Sequence, residues 1–224
     1  MGLFFRSEKP RPEGTPLPPP AKGLRLFFQI LSREFFSLIK LNFLFYLFCI
    51  PIVTIPAAYC AMTGVIVKMV RDEPYFLWDT FWNTFRLEFK KATIAGFLLI
   101  AGFATSILAI WYYSNLSASY PLFLILTVVA FFGAVMVLFV SFSLFPMISL
   151  LDLPIIIIAK NALILALLSS LHKFVALLVC TILILFAFMN LQVGFVPMLL
   201  LYPSLLCLIT VFSAYGGIKK HIIS

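Results

Sequence analysis

The chain has 224 residues, of which 63% are hydrophobic and only 11% are charged, and its formal net charge is +8. Soluble domains are about half apolar and about a quarter charged, so this composition excludes a soluble globular protein and indicates an integral membrane protein. An excess of Lys and Arg in such a chain is typical of topology signals and of contact with anionic lipid headgroups. We therefore expect a lipid bilayer as the main partner, and no nucleic acid.

The first 23 residues differ in composition from the rest of the chain. Residues 1–23 are rich in proline and charge and have no apolar face, which predicts an extended cytoplasmic tail. No cleavage site follows a short apolar core, so no signal peptide is predicted. Residues 24–224 are expected to form a single integral membrane helical domain. Its first part, up to Lys40, has the apolar stripes and charges of a helix on the membrane surface.

The charged residues leave three uncharged runs, at 41–67, 92–151 and 174–218. A spanning helix needs about 20 residues, so the runs contain the membrane crossings. Basic flanks face the cytoplasm, and every charged stretch here carries a net positive charge. Each run is therefore expected to cross an even number of times, which places both termini and the loops at 68–91 and 150–173 in the cytoplasm.

The first run contains the segment CIPIVTIPAAYC, in which Pro51 and Pro56 each remove a backbone donor, so two helices must meet there. Thr54 is expected to cap the second helix, with Pro56 in its first turn. Small residues such as Ala61 and Gly64 then allow another helix to approach closely. We expect either a tight hairpin or a re-entrant pair. Its second helix is predicted to pack inside the bundle or against a partner subunit.

The second and third runs each divide at a polar turn. The segment YYSNLSASYP predicts helices near 92–113 and 121–145, and MNLQVGFVP predicts helices near 173–189 and 195–215. The predicted fold class is all-α. It is a polytopic membrane helix bundle of about six spanning or re-entrant helices, joined by amphipathic elbow helices at the interface.

The first elbow contains the segment FWNTFRLEFKK at 81–91. At 100° per residue, one narrow arc holds the rings of Trp78, Phe81, Trp82, Phe85 and Phe89. Beside it runs a polar stripe made of Asp79, Asn83, Arg86 and Lys90. The pattern predicts an amphipathic helix in the cytoplasmic interface, with its rings at headgroup depth. It serves either as an elbow into the helix near 92 or as a docking surface for another protein.

A second elbow is predicted at 150–174. Asp152 lies at a capping position before Pro154, and Lys160 and Asn161 interrupt an otherwise apolar helix. These three side chains extend the candidate cytoplasmic interaction surface, which then comprises Asp79, Asn83, Arg86, Lys90, Asp152, Lys160 and Asn161. Capping and snorkelling explain the last three equally well.

Residues that carry catalysis are scarce. The four cysteines lie far apart in apolar runs without a CxxC pair, which predicts free thiols. The sequence has no phosphate-binding loop, no HExxH and no GxSxG, and no acid or base lies within an uncharged run. We expect no catalytic residues, no cofactor and no metal.

Three motifs resemble those of the YesL family of bacterial integral membrane proteins. Residues 41–73, LNFLFYLFCIPIVTIPAAYCAMTGVIVKMVRDE, have the family's early Asn, the Cys before PIVTI, the small-residue helix and the acidic pair before an aromatic elbow. FRLEFKKAT at 85–93 and AKNALILAL at 159–167 resemble two further family motifs. The chain departs from the family at Pro56, where a Gly is frequent.

The resemblance implies a bacterial cytoplasmic membrane and a link to carbohydrate uptake by gene association, but it supplies no site residues. Two functions stay open. The first is a non-catalytic accessory or regulatory component of a carbohydrate (ABC-type) importer, with the importer permease or a homo-oligomer as partner. The second is a small-solute transporter or channel. The first is favoured because the spans offer few polar groups and the loops lack an EAA-type coupling segment.

Overall fold

The computed structural model describes the backbone of residues 24–117, 120–168, 170–189 and 191–218. It also describes their side chains, except those of 24, 172 and 187–200. The predicted tail, 1–23, lies outside the described residues. Every regular element in the part described is a helix, so the all-α prediction is confirmed. The helices are α1 (Leu24–Arg33), α2 (Phe35–Phe48), α3 (Ile55–Val70), α4 (Leu77–Ser117), α5 (Phe123–Leu150), α6 (Ile155–Leu168), α7 (Ser170–Met189) and α8 (Leu191–Ile218), with a 3-10 turn at Ile52–Thr54.

Several helices are long and apolar enough to cross a membrane. Within the described residues there are four: α3 together with the preceding turn, α4, α5 and the second half of α8. There are five if the bent pair α6–α7 forms one span. The chain is therefore a helical membrane protein, and the described residues include a helix for each of the six spanning or re-entrant segments predicted.

Helix α3 lies at the centre of the packed part of the molecule. Met62, Ile66 and Met69 belong to a buried apolar cluster that includes side chains of α1, α2, α8 and the start of α4. Toward its N-terminus, Ala57 and Cys60 belong to a second cluster, formed with α5, α6 and the end of α8. Most other helices thus bury a face against α3.

Helix α4 corrects one prediction. The elbow expected at 81–91 is not a separate helix, because α4 is continuous over 41 residues, which is about 60 Å at 1.5 Å per residue. No Pro, Gly or capping residue interrupts FRLEFKKATIA, so nothing in the sequence ends the helix near 91. The second elbow is confirmed as a separate helix, α6, which meets α7 at 88°.

The C-terminal half of α4 and the N-terminal half of α5 form an extended hairpin, here called the arm (97–117 and 123–138). Its two helices approach closely where glycines face the partner helix: a Cβ on Gly102 would lie 3.5 Å from Val137, and one on Gly133 would lie 3.8 Å from Ser106. Large apolar side chains of the arm point outward, among them Leu98, Leu108 and Phe131. The predicted hairpin of two apolar helices is thus confirmed.

The direction of α8 corrects a second prediction. Tyr59 contacts Thr210 and Thr63 contacts Cys207, so α8 runs antiparallel to α3. Position 64 of α3 faces Thr84, and Pro56 faces Gly96, so α4 also runs antiparallel to α3. Helices α4 and α8 therefore run in the same direction. The even-crossing scheme gave opposite directions to the helices predicted near 92–113 and 195–215, whereas the structure gives these two helices the same direction. The side of the membrane on which each terminus lies stays a prediction.

Candidate functional site

The turn between α2 and α3 forms where the two prolines predicted it. Helix α2 ends at Phe48, and Pro51 precedes the 3-10 turn that leads into α3. Thr54 holds the predicted N-cap position, with Pro56 in the first turn, but its side chain makes no capping bond. The hydroxyl donates instead to the carbonyls of Phe48 (2.5 Å) and Pro51 (2.6 Å). The reason is the helical backbone of Thr54, φ −87° and ψ −8°, where a capping residue is normally extended.

The small-residue face of α3 is fully enclosed. Pro56, Ala61 and Gly64 are all buried. A Cβ on Gly64 would lie 3.0 Å from the side chain of Thr84, and one on Gly96 of α4 would lie 2.4 Å from the Pro56 ring. The prediction that this helix packs inside the bundle is confirmed, since helices α3 and α4 meet at distances that only small residues allow.

The aromatic arc of α4 packs mainly on α2. The ring of Phe48 lies 5.3 Å from Phe81, 5.7 Å from Trp82 and 5.0 Å from Phe85, with Trp78 at 6.4 Å. Phe81 is fully buried. Most of the arc is therefore covered by protein, and its depth in the bilayer stays a prediction. These rings hold the end of α2 against the start of α4. Of the five rings named in this paragraph, only that of Trp78 is exposed.

A polar seam joins α2, α3 and α8 in the core. The Asn42 amide donates to the Ser204 hydroxyl (2.9 Å) and accepts from the Ser204 backbone N–H (2.8 Å). One turn further along α8, the Cys207 sulfur lies 3.4 Å from the Thr63 hydroxyl. Two turns further along, the Thr210 hydroxyl lies 3.2 Å from the Tyr59 hydroxyl. The seam, as the term is used below, comprises Asn42, Tyr59, Thr63, Ser204, Cys207 and Thr210. Its polar atoms are bonded to one another across the helices.

The remaining hydroxyls that the sequence offers for a solute path turn back to their own backbone. Ser106 donates to the carbonyl of Gly102, Ser141 to that of Leu138, and Thr181 to that of Leu177. Such bonds satisfy the hydroxyl without a partner on another helix. Ser143 differs, because its hydroxyl is buried and has no hydrogen-bond partner within the described part of the chain.

A depression of about 380 Å³ opens between the end of α3 and the start of α4. Asp79 and Asn83, two members of the predicted interaction surface, line it together with Lys68 and Tyr75. The amine of Lys68 and the carboxylate of Asp79 give the depression one charge of each sign.

The other members of the predicted surface are spread over the molecule. The guanidinium of Arg86 lies 5.7 Å from the centre of the Trp82 ring, a cation–π distance. Asp152 accepts a hydrogen bond from Lys91 at 3.2 Å. Lys91 lies about 18 Å along α4 from Asp79, at 1.5 Å per residue. Lys90 is exposed on α4, and Lys160 and Asn161 lie on α6. Asp79, Asn83, Arg86 and Lys90 keep the predicted exposed stripe along α4. A surface that joins this stripe to Asp152, Lys160 and Asn161 stays a prediction.

Asp152 does not cap α6 as the sequence predicted. The amides of Ile157 and Ile158 bond to the carbonyl of Pro154, which closes the first turn of the helix. The Asp152 carboxylate instead shares Lys91 with Glu88, whose oxygen lies 3.2 Å from the same amine. Desolvation lowers the pKa of Lys91, but the hydrogen bonds and charges of Glu88 and Asp152 outweigh it and raise that pKa. This ion cluster joins α4 to the loop before α6.

Sequence reasoning missed a buried carboxylate at the junction of α1 and α2. Glu34 is 3% exposed and accepts hydrogen bonds from Tyr75 (2.6 Å) and Ser37 (3.1 Å). Arg33 contacts Glu34 at 3.1 Å and Asp72 at 2.9 Å. The cluster ties α1 and α2 to the α3–α4 loop. A signal was present, since Glu34 is the one acid between two apolar helices, but its partners are distant in sequence.

A second missed residue is Lys173. Lys173 directly precedes the uncharged run 174–218, where the charge pattern predicts a basic flank. Its side chain is nevertheless buried at the start of α7. Its amine has no hydrogen-bond partner in the described part of the protein. The residues on the same face of α7, Ala176 and Cys180, are buried as well. The face of α7 that packs inward therefore begins with a basic residue.

A comparison with known families gives a match over part of this arrangement. The profile of a family described as "Protein of unknown function, DUF624" matches residues 38–114. The match covers most of α2, the turn, α3 and nearly all of α4. No curated protein and no solved structure matches the chain.

Proposed function

We propose that the protein is a YesL-family component of the bacterial cytoplasmic membrane that serves a carbohydrate (ABC-type) importer as a non-catalytic accessory or regulatory subunit. The DUF624 match supports the family, because it covers the stretch that contains the hairpin and most of the motifs that resemble YesL proteins. The link to carbohydrate uptake rests on the resemblance and on gene association.

The polar seam is the observation that favours an accessory role over transport. A solute path needs polar side chains that face a lumen. Here Asn42, Thr63 and Thr210 are bonded to neighbouring helices or to backbone carbonyls. Interhelical hydrogen bonds of this kind hold membrane helices together. The polar groups of the core thus have a structural use.

The charged end of the molecule is proposed to face the cytoplasm. Basic residues flank the apolar arm at Lys90 and Lys91, which supports that orientation. Ile218, the last described residue of α8, belongs to the same buried cluster as Ala92 and Ala95, next to Lys91. This supports a cytoplasmic C-terminal end, with the N-terminal end placed there by its basic residues. The partner then docks on the depression lined by Asp79 and Asn83.

Affinity purification of the tagged full chain from its native membranes in mild detergent tests the proposal. We expect an importer permease or ATPase to be recovered in fixed ratio. Asp79→Lys should lower that recovery at least tenfold, because it makes the depression uniformly positive. The charge reversal Lys160→Asp on α6 is the matched control and should retain the partner. If the chain purifies alone and catalyses solute uptake in proteoliposomes, it is a transporter and the accessory role is wrong.

A further inference from the structure

The tip of the α2–α3 turn exposes a cluster of large apolar side chains. Ile50 is 75% exposed and Ile52 81% exposed, and Val53 and Ile55 also point outward. No glycine or charged residue separates them. Such a tip needs an apolar environment, so its position relative to the bilayer decides what covers it.

The contacts of α3 place this tip beside the middle of α4. Pro56, at the start of α3, faces Gly96, and Gly64 faces Thr84 nearer the start of α4. Helix α4 continues from Gly96 to Ser117, which is about 30 Å beyond the tip at 1.5 Å per residue. That length alone matches the hydrocarbon thickness of about 30 Å.

The two halves of α4 cannot both lie in the hydrocarbon. Beside α3, the first half of α4 exposes the charged side chains of Asp79, Arg86 and Lys90. The arm has no charged residue at all. Charged side chains at hydrocarbon depth are costly, so the arm occupies the membrane and the first half of α4 stays outside it. Helix α3 lies alongside that first half and therefore does not cross.

The length of α2 agrees with this: its 14 residues span about 21 Å, less than the hydrocarbon core. Helix α3 with the preceding turn has 19 residues and is long enough to cross, so the charges beside it on α4, and not its length, keep it out of the hydrocarbon.

We propose that residues 50–55 insert into the lipid leaflet at the charged end of the arm without crossing the membrane, so that α2 and α3 form a re-entrant hairpin. Pro56 contacts Gly96, so the tip is continuous with the exposed apolar surface of Ile94, Phe97 and Leu98. Lipid therefore covers the exposed tip. The ion pair between Lys91 and Asp152, about 8 Å before Gly96 along the helix, marks the adjacent headgroup level. The tip thus reaches only the outer part of the hydrocarbon.

Depth-dependent fluorescence quenching tests the inference in liposomes that contain the full chain. A bimane label is placed at Ile52→Cys, in a background with Cys49→Ser, and the lipid carries a nitroxide either near the headgroup or near the end of the acyl chain. We expect the shallow nitroxide to quench this label at least twofold more than the deep one. The same label at Leu108→Cys, midway along the arm and 62% exposed, should show the opposite ratio.

A second measurement uses a membrane-impermeant maleimide. Ser114→Cys, near the far end of the arm, should react from one side of the membrane, whereas Ile52→Cys should not react from that side. Reaction of both from the same side would show a crossing hairpin and overturn the inference. Stronger quenching of Ile52→Cys by the deep nitroxide would also overturn it. So would quenching by neither nitroxide, because the tip would then be covered by protein or water.

Discussion

Helix α3 and the arm are both apolar, but they meet opposite surroundings. The span that contains α3 has a mean hydropathy of 1.6 and is 67% buried, whereas the spans in α4 and α5 have values of 2.2 and 2.9 and are 11% buried. The most hydrophobic helices are thus the most exposed, which is the reverse of a soluble protein. In a bilayer, large apolar side chains face lipid, and close packing between helices is achieved by small and hydrogen-bonding residues.

The comparison is tested most strongly by filling the α3–α4 contact. Gly64→Leu places a large side chain where a Cβ alone already lies 3.0 Å from Thr84. We expect a loss of about 3 kcal/mol in the free energy of unfolding, the upper end of overpacking costs. Leu98→Phe, at an arm position that is 65% exposed, is the control and should be nearly silent. Unfolding in mixed detergent micelles measures both. Equal stability of the two variants would mean that α3 is not the packing centre.

A smaller effect is expected from a single methyl group at matched glycines. Gly96→Ala brings a Cβ to 2.4 Å from the Pro56 ring, while Gly133→Ala in the arm brings one to 3.8 Å from Ser106. The proline ring is fixed to its backbone and cannot turn aside, so Gly96→Ala should cost about 2 kcal/mol. Gly133→Ala should leave the thermal midpoint unchanged. A loss of stability at Gly133 but not at Gly96 would contradict the proposed difference between the two regions.

The polar seam sharpens the comparison further. Asn42→Leu removes the side chain that binds both the hydroxyl and the amide of Ser204. We expect the free energy of unfolding to fall by about 1–2 kcal/mol, since the buried backbone N–H of Ser204 loses its acceptor. Thr105→Val in the arm removes a hydroxyl that bonds only to carbonyls of its own helix. It should have no measurable effect on unfolding. If both variants were silent, the bonds of Asn42 to Ser204 would contribute nothing to the packing of α8 on α2.

The smallest effect is expected at the boundary between the two regions. Asp152→Asn removes one charge from the cluster with Lys91, and the Asp152 carboxylate is fully exposed. Exposed ion pairs contribute little and are screened by salt. The thermal midpoint in detergent should therefore change little at low salt and not at all at high salt. A large, salt-independent loss would show that the Asp152 side chain is shielded from solvent in the membrane-bound protein.

The candidate site could be predicted only in its local parts. The turn at Pro51 and Pro56, the small face of α3 and the polar turns between apolar helices follow from backbone restrictions and residue size, which act over a few residues. The Phe48 cluster, the seam and the Glu34 cluster could not be found in this way. Their partners are far apart in the chain: Asn42 and Ser204 are separated by 162 positions.

By itself, the sequence determined that this protein is helical, lies in a membrane and carries its charges at one end, because hydropathy and charge act on each segment independently of its neighbours. Only the tertiary structure decided that the elbow at 81–91 continues into α4, that α8 runs parallel to α4, and which helices enclose the small-residue face of α3. The physical reason is that an apolar helix satisfies the hydropathy criterion equally well against lipid or against other helices. Shape and hydrogen bonding with distant helices decide between the two.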